Sequence, residues 1–374
     1  MKTRLFTGKL FSLPISAALV VLYVISLSCN SNHKQTELQQ LLNDELSPDL
    51  PGIIAAIAGP DQNLIWAGAA GYADTITKVL LSPSNTFRIA SVTKTFVAAA
   101  ILRLLEQDKL RLDDPIALYI SSLHSEILRN GGYNPDSITI RQLLNHTSGM
   151  ADHTHSDRYT PDYMQERHVW TRTEQLEELV RLSKPLDKPG ARFSYSDSGY
   201  ILLGEIIENL TGQPMGEAID HLLRLKQLGI ANTHIESPDG DFSGQRMHQY
   251  HNKIDTYNFH PSLDYFGGGG HLSTTADLAM FHTMLFNNRV FEYTSTLDTM
   301  LQPFSGKSPD ALDYRYGIWK TEIGGIEAYT HTGFWGTQVA WFPDYNMAIA
   351  VNYSQRWANK GPAPIIEKIL SKSL

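Results

Sequence analysis

The chain is predicted to fold as an α+β protein, an α/β sandwich in which one antiparallel sheet is built from both ends of the sequence. Strand-like apolar runs lie near the start, at residues 53–58 and 64–69. Four more runs follow residue 316, whereas residues 113–300 have the longer apolar periods typical of helices. We therefore expect helices to flank the sheet and a mainly helical region to be inserted between its two halves.

The N-terminal segment has the pattern of an export signal. Lys2, Arg4 and Lys9 precede a largely apolar run at residues 10–27. Cys29, the only cysteine, follows directly, and this order resembles a bacterial lipoprotein signal, in which that cysteine is lipidated. An ordinary signal peptide and an uncleaved anchor helix are the alternatives.

These boundaries predict three regions and a location. Residues 1–28 are predicted to be a signal peptide of lipoprotein type, residues 29–45 a polar tether, and residues 46–372 the folded domain. The protein is then expected to be exported, either to the periplasm or to the outer membrane as an anchored lipoprotein.

Composition excludes several classes of function. The sequence has 374 residues, of which 42% are hydrophobic, and this is enough for one large domain or two closely packed ones. A single cysteine rules out an internal disulfide and leaves the folded domain with no thiolate nucleophile or thiolate metal site. The net charge of −8 makes nucleic acid a poor partner, and we expect membrane contact only through the lipid anchor.

The N-terminal elements follow from local patterns. The runs at residues 53–58 and 64–69 flank a Gly-Pro-Asp-Gln-Asn segment, which is typical of a hairpin turn. From near Ser91 the sequence is apolar nearly all round and contains no glycine or proline. It therefore predicts a buried helix of about four turns.

The remaining elements complete the predicted fold. In the helical region, the clearest apolar segments are residues 142–144, 173–182 and 200–210, and Thr211-Gly212 is a C-terminal stop for the last of these. Strands are predicted at residues 316–323, 325–330, 337–342 and 347–352, with a turn at residues 343–346 and a closing helix at residues 364–370.

Ser91-Val92-Thr93-Lys94 is the most informative motif. Residues three apart share a face of a helix, so the Lys94 amine can approach the Ser91 hydroxyl. Burial lowers the pKa of a lysine and would let a neutral amine accept the serine proton. A second Ser-x-x-Lys, Ser31 to Lys34, lacks a buried helix. Alone, Ser91 could equally be a helix N-cap.

Two later segments extend this motif. Tyr195-Ser196-Asp197 precedes a predicted helix, and His331-Thr332-Gly333 ends a predicted strand. Ser-x-x-Lys, Tyr-x-Asn/Asp and His/Lys-Thr-Gly, in this order, resemble the penicillin-recognising serine hydrolases: class C β-lactamases, DD-carboxypeptidases and β-lactamase-related esterases. The stretches at residues 143–150 and 267–278 and the Trp335-Gly336 pair support the likeness, which covers roughly residues 45–370.

The resemblance implies a β-lactamase/transpeptidase-like fold for residues 46–372 and a role for each motif residue. Ser91 would be the nucleophile, Lys94 its activator and Tyr195 the proton shuttle. His331 would contribute to the local positive field and orient the substrate. The backbone N–H groups of Ser91 and Phe334 would form the oxyanion hole, and Gly333 would leave room for substrate along the strand edge. The implied site residues are Ser91, Lys94 and Tyr195 for catalysis, and Asp197, His331, Thr332, Gly333 and Phe334 for substrate and oxyanion binding.

Asp197 departs from the family pattern, which most often has Asn at this position. A carboxylate only accepts hydrogen bonds, so Asp197 would hold Lys94 charged and raise its pKa. We interpret the change as a shift of substrate. Among other motifs, His153, His155 and His168 lie near Asp152 and Asp157, but their spacing fits no common metal site. We expect this segment to be a solvated loop, or a lid over the site.

The motifs predict a serine hydrolase that acts through a Ser91 acyl-enzyme and needs no metal or organic cofactor. Its first expected substrate class is a D-Ala-D-Ala or other D-amino-acid peptide of the cell envelope. The alternatives are an esterase of the same fold, a class C-like β-lactamase and a non-catalytic penicillin-binding sensor. Its partner would accordingly be a small peptide, ester or β-lactam.

Overall fold

The computed structural model describes residues 33–60, 63–155, 159, 168–237, 245–304, 313–356 and 358–374. The predicted signal peptide and Cys29 therefore lie outside the described residues. Within these ranges, no helix combines the length and the hydrophobicity that crossing a membrane requires.

A seven-stranded antiparallel sheet built from both ends of the chain forms the centre of the fold, as the sequence predicts. Its strand order is β2-β1-β12-β11-β10-β9-β8, so the N-terminal hairpin pairs directly with the last strand, Ile53 opposite Tyr353. The strands of this sheet are β1 (Gly52–Ala58), β2 (Leu64–Gly71), β8 (Asp313–Tyr314), β9 (Trp319–Ile323), β10 (Ile326–Gly333), β11 (Thr337–Phe342) and β12 (Met347–Tyr353).

Most of the remaining elements lie, in sequence, between the N-terminal and C-terminal strands of the sheet. Short strands form two small sheets: β3 (Phe87–Arg88), β7 (His271–Ser273) and β4 (His234–Ile235) in one, and β5 (Tyr250–His251) with β6 (Ile254–Asp255) in the other. The helices are α1 (33–45), α2 (Thr93–Glu106), α3 (Ser122–Asn130), α4 (Ile140–Leu144), α5 (Arg172–Leu182), α6 (Asp197–Thr211), α7 (Met215–Leu223), α8 (Thr275–Phe286), α9 (Thr294–Met300) and α10 (Ala363–Ser373).

The central sheet is covered on both faces, which explains why β1 is buried along its whole length. Successive side chains of a strand point to opposite faces. Ile54 packs in the core with α2 and α8, whereas Ile53 and Ile57 pack in a second core with α1 and α10. The result is three layers, with the inserted helical region on one face and the two terminal helices on the other.

Three sequence predictions need correction. Residues 33–45 form a helix rather than part of a polar tether, because Leu38 and Leu42, four residues apart, bury one face against the sheet. Residues 245–273 contain strands β5, β6 and β7 within the region predicted as mainly helical. The strand predicted at residues 316–323 begins only at Trp319, since Gly317 adopts a φ of 72° between β8 and β9.

We predict that α1 contributes to stability as part of the folded domain. Leu42 is fully buried, so Leu42→Ala leaves a cavity beside the sheet and should lower the free energy of unfolding by about 2–5 kcal/mol. Chemical denaturation of the soluble domain measures this change. The exposed Gln40→Ala serves as control and should stay within about 0.5 kcal/mol of the wild type. Equal stability of the two variants would contradict the packing of α1.

Candidate active site

Ser91 lies in a short 3₁₀ turn, Ala90–Val92, that links β3 to α2. The backbone is strained at the start of this turn. Ala90 adopts a φ of 46°, a left-handed conformation that costs an alanine about 1–2 kcal/mol. Helix α2 is buried on nearly all sides, as its apolar sequence predicts, and Phe96 stacks on Phe281. Strain of this kind persists where rigid surroundings impose it, and such positions cluster at active sites.

Lys94 is fully buried one turn after Ser91 and is held by three acceptors. Its Nζ lies 2.9 Å from Ser91 Oγ, 2.6 Å from Asp197 Oδ1 and 2.6 Å from the carbonyl oxygen of Gly268. The contacts with Ser91 and Gly268 are hydrogen bonds, and the contact with Asp197 is an ion pair that balances the ammonium charge. Gly268 belongs to the glycine-rich stretch at residues 267–270. A Cβ on Gly267 would lie 2.4 Å from the carbonyl oxygen of Tyr200, so this close approach requires glycine.

The charge state of Lys94 differs from the neutral amine that burial alone would favour. Burial lowers its pKa, but the charge of Asp197 and the hydroxyl of Tyr195 outweigh burial and raise the pKa above its ordinary value. Burial also raises the pKa of Tyr195, to about 12, although Lys94 opposes the rise. The resting site therefore holds a charged Lys94, as the departure at Asp197 predicts, and a neutral Tyr195 phenol, because burial outweighs the nearby cation.

His146 fixes the position of Tyr195 from both sides. The Ser194 N–H donates to the His146 carbonyl oxygen at 2.8 Å, and the Ser196 N–H donates to His146 Nδ1 at 3.2 Å. The imidazole also packs on the Tyr195 ring, with centroids 4.1 Å apart. Burial first, and then the charge of Lys94, hold the pKa of His146 well below its usual range, so the ring is neutral. Sequence reasoning gave His146 no role, although residues 143–150 were singled out as a motif.

His331 does not supply the positive field predicted for it. Burial and the nearby Lys94 charge lower its pKa to about 3, so the imidazole is neutral. Nδ1 lies 2.8 Å from the Thr332 carbonyl oxygen, and Nε2 lies 3.1 Å from the Tyr314 hydroxyl. These partners assign the proton to Nδ1 and make Nε2 the acceptor. His331 therefore anchors the end of β10, and Tyr314, which sequence reasoning missed, completes that contact.

The end of β10 lies directly against the segment that leads into Ser91. A Cβ on Gly333 would lie 2.1 Å from the carbonyl oxygen of Ile89, so glycine is required here by close backbone approach. This approach brings the Phe334 backbone near the Ser91 turn, consistent with the predicted oxyanion hole. The Thr332 side chain is exposed and lines the adjacent cavity.

A cavity of about 670 Å³ opens onto Ser91, Tyr195 and β10. One part of its lining carries the carboxylates of Asp152, Asp197 and Asp264. Burial raises the pKa of Asp264 to about 7, and burial and the Asp197 charge raise that of Asp152. Asp152 and Asp264 carry no motif and were not predicted as site residues. The cavity is also lined by residues 360–363 and by Arg356, whose guanidinium lies over the Phe334 ring at 3.4 Å.

The segment around His153 is not a solvated loop. Asp152 and His153 are buried, and His153 Nδ1 lies 3.0 Å from the Ser198 hydroxyl on α6. His155 lines the cavity, which agrees with the alternative of a lid, whereas His168 faces Glu174 at 3.3 Å. Asp157 lies outside the described residues. In the described ranges, no group of three or more His, Cys, Asp or Glu side chains could hold a metal ion.

The charge of Asp197 is predicted to set the pH dependence of acylation. The anion raises the pKa of both Tyr195 and Lys94, so Asp197→Asn brings a proton acceptor closer to neutrality. The rising limb of the plot of acylation rate against pH should then move to a pH about one unit lower. Fluorophosphonate labelling at a series of neutral and alkaline pH values measures this rate. Glu177→Gln, which removes an exposed carboxylate that does not line the cavity, is the control and should leave the limb in place. A limb that stays or moves to higher pH in Asp197→Asn would contradict this account.

Comparison with known proteins identifies the family of this chain. The β-lactamase family profile matches residues 38–368. Protein flp of Staphylococcus aureus (strain MW2) is 35% identical over 203 residues, which are 53% of this chain but only 38% of that protein. The N-acetylmuramyl-L-alanine amidase of Bacillus subtilis (strain 168) is 26% identical over 380 residues, covering 90% of this chain and 83% of that protein. A D-stereospecific amidohydrolase from Streptomyces sp. superimposes with a TM-score of 0.76 at 25% identity, covering 90% of this chain and 97% of that one.

Proposed function

The chain belongs to the β-lactamase family and is a serine hydrolase of that family, and we propose that it cleaves amide bonds of D-amino acids in small peptides. The observation that carries the serine chemistry of this proposal is the 2.9 Å contact of Lys94 Nζ with Oγ of Ser91, a residue that lines the cavity. A buried ammonium at this distance stabilises developing negative charge on the hydroxyl oxygen.

Acylation can be written with these groups. The Ser91 oxygen attacks the amide carbonyl carbon while its proton passes to the deprotonated form of Tyr195, which the Lys94 charge stabilises. The carbonyl oxygen becomes an oxyanion at the N–H groups of Ser91 and Phe334. The C–N bond then breaks, and the leaving nitrogen takes the proton from Tyr195. Water, activated by the same tyrosine, hydrolyses the ester and restores Ser91.

The charges around the cavity support a charged peptide as substrate. Asp152 and Asp264 favour a substrate with an ammonium group, since a cation in the cavity would stabilise their ionised forms against the burial that raises their pKa. Arg356 on another part of the lining favours a carboxylate. A D-amino-acid peptide with free termini carries both groups. The names of the Bacillus amidase and the Streptomyces amidohydrolase agree with amide cleavage, and the latter also with D-stereospecificity.

An esterase is the second candidate. Tyr159, Leu263 and Phe334 form apolar lining beside the charged groups, and an uncharged acyl chain could pack there. The carboxylate of Asp197 does not distinguish between the two candidates. A class C-like β-lactamase needs rapid deacylation, and a non-catalytic sensor would have no use for an intact Ser91–Lys94–Tyr195 set.

The cellular location of the protein is proposed from its N-terminal sequence alone. We propose that the enzyme is exported and anchored through lipidated Cys29, which would bring it to the peptides of the cell envelope. An inhibitor of the lipoprotein signal peptidase should leave an unprocessed precursor in the producing cells. Unchanged processing would rule out the lipid anchor and favour an ordinary signal peptide.

We predict a preference for D-aminoacyl amides that have a free amine. The purified soluble domain should hydrolyse D-alanyl p-nitroanilide and D-Ala-D-Ala more efficiently than L-alanyl p-nitroanilide, p-nitrophenyl butyrate or a chromogenic cephalosporin. Ser91→Ala should lose this activity and form no fluorophosphonate adduct in an intact-mass measurement. Efficient turnover of the butyrate ester alone would favour the esterase, and rapid cephalosporin hydrolysis would favour the β-lactamase.

A matched variant tests the charge argument separately. Asp264→Asn should raise KM for the free-amine substrate about tenfold, which corresponds to losing about 1.4 kcal/mol of binding. It should leave KM for the N-acetylated analogue unchanged, because that substrate carries no ammonium. Equal effects on both substrates would show that Asp264 acts through structure rather than by charge.

A further inference from the structure

A buried glutamine joins the two chain segments that carry the oxyanion hole. Gln249, only 2% exposed, precedes β5 and points into the gap between β3 and the β10–β11 turn. Its Oε1 accepts the backbone N–H of Arg88 at 2.8 Å. Its Nε2 donates to the carbonyl oxygens of Arg88 at 3.1 Å and Trp335 at 2.9 Å.

Each of these two partners lies close in sequence to one of the predicted oxyanion donors. Arg88 lies three residues before Ser91, whose N–H forms one half of the predicted hole. Trp335 directly follows Phe334, whose N–H forms the other half. One planar amide therefore connects the backbone close to each of the two donors, although the two segments are far apart in sequence.

Neighbouring groups reinforce the same connection. The carbonyl oxygen of Trp335 also accepts from Asn352 Nδ2 at 3.1 Å, and that of Arg88 also accepts from Thr337 Oγ1 at 3.3 Å. Asn352 and Thr337 belong to adjacent strands of the central sheet and hydrogen-bond to each other at 2.9 Å. Gln249 comes from outside that sheet and ties this network to β3.

We propose that Gln249 is a positioning residue that holds the Ser91 and Phe334 amides at the separation that the oxyanion requires. Transition-state stabilisation by such donors depends on fixed geometry, because a donor displaced from the developing oxyanion loses most of its effect. Gln249 does not line the cavity, so its removal should affect the reaction step rather than substrate binding. The inference rests on the Ser91 acyl-enzyme chemistry and is independent of the preference for D-amino acids.

The test compares Gln249→Met with a control variant. Methionine keeps the length and the apolar packing but makes none of the three hydrogen bonds. With an activated p-nitrophenyl ester, kcat should fall by about 10- to 100-fold while KM changes little. Affinity for a boronic acid, which forms a tetrahedral adduct with an oxygen in the hole, should fall by the same factor.

Asn287→Leu controls for stability. The Asn287 side chain also takes part in three hydrogen bonds, one with Thr283 and two with Asn346, and it does not line the cavity. This variant should lose thermal stability but keep the wild-type kcat and boronic acid affinity. Gln249→Met with a kcat within twofold of Asn287→Leu, or with unchanged boronic acid affinity, would overturn the proposal.

A second variant covers the case in which Gln249→Met does not fold. Gln249→Glu keeps the shape, and its carboxyl group can donate a hydrogen bond only when protonated. Its activity relative to wild type should therefore increase as the pH falls, and a constant ratio would overturn the proposal. A wild-type enzyme that hydrolyses the activated ester but no D-amino-acid amide would refute the proposed substrate and leave this comparison intact.

Discussion

The buried ammonium of Lys94 is the constraint on which the rest of the site depends. Removing a lysine from water is costly unless its charge is paired and its three donors are used. The acceptors come from the turn before α2, the start of α6 and the glycine-rich stretch at Gly268. These segments must therefore meet at one point for Lys94 to be satisfied.

The catalytic parts divide between the two layers that meet there. The proton-handling groups, Lys94 and Tyr195, belong to helices and loops of the inserted region, and His146 fixes Tyr195 within it. Phe334, which is proposed as an oxyanion donor, lies in the turn that joins β10 to β11, where the pairing of these two strands limits movement. Ser91 lies where the two layers meet. Its hydroxyl contacts Lys94 of the helical region, and it follows Ile89, whose carbonyl group packs against Gly333 of the sheet.

The elements with a regular apolar pattern, and the residues that occur in motifs, could be predicted from the sequence. Apolar periodicity predicted β1, β11, β12 and α6 closely, because each buries a regular face. It missed α1, since Leu38 and Leu42 alone are too few to stand out among polar neighbours. Local pattern could not find Asp152, Asp264 or Gln249 either, because their roles arise from contacts between distant segments. The predicted charge on His331 failed for the same reason, since its burial depends on tertiary packing.

Asp197 illustrates how the site balances its charges. With Asn at this position, a buried ammonium would have no counter-ion at hydrogen-bond distance, and burial would favour the neutral amine. The carboxylate keeps Lys94 charged at the expense of a higher pKa for Tyr195, so the resting site gains electrostatic stability but holds less of the deprotonated tyrosine near neutral pH. Such a site depends more on stabilising the oxyanion than on a strong base. The proposed oxyanion hole between Ser91 and Phe334, whose flanking segments are connected by buried side chains, would provide this stabilisation.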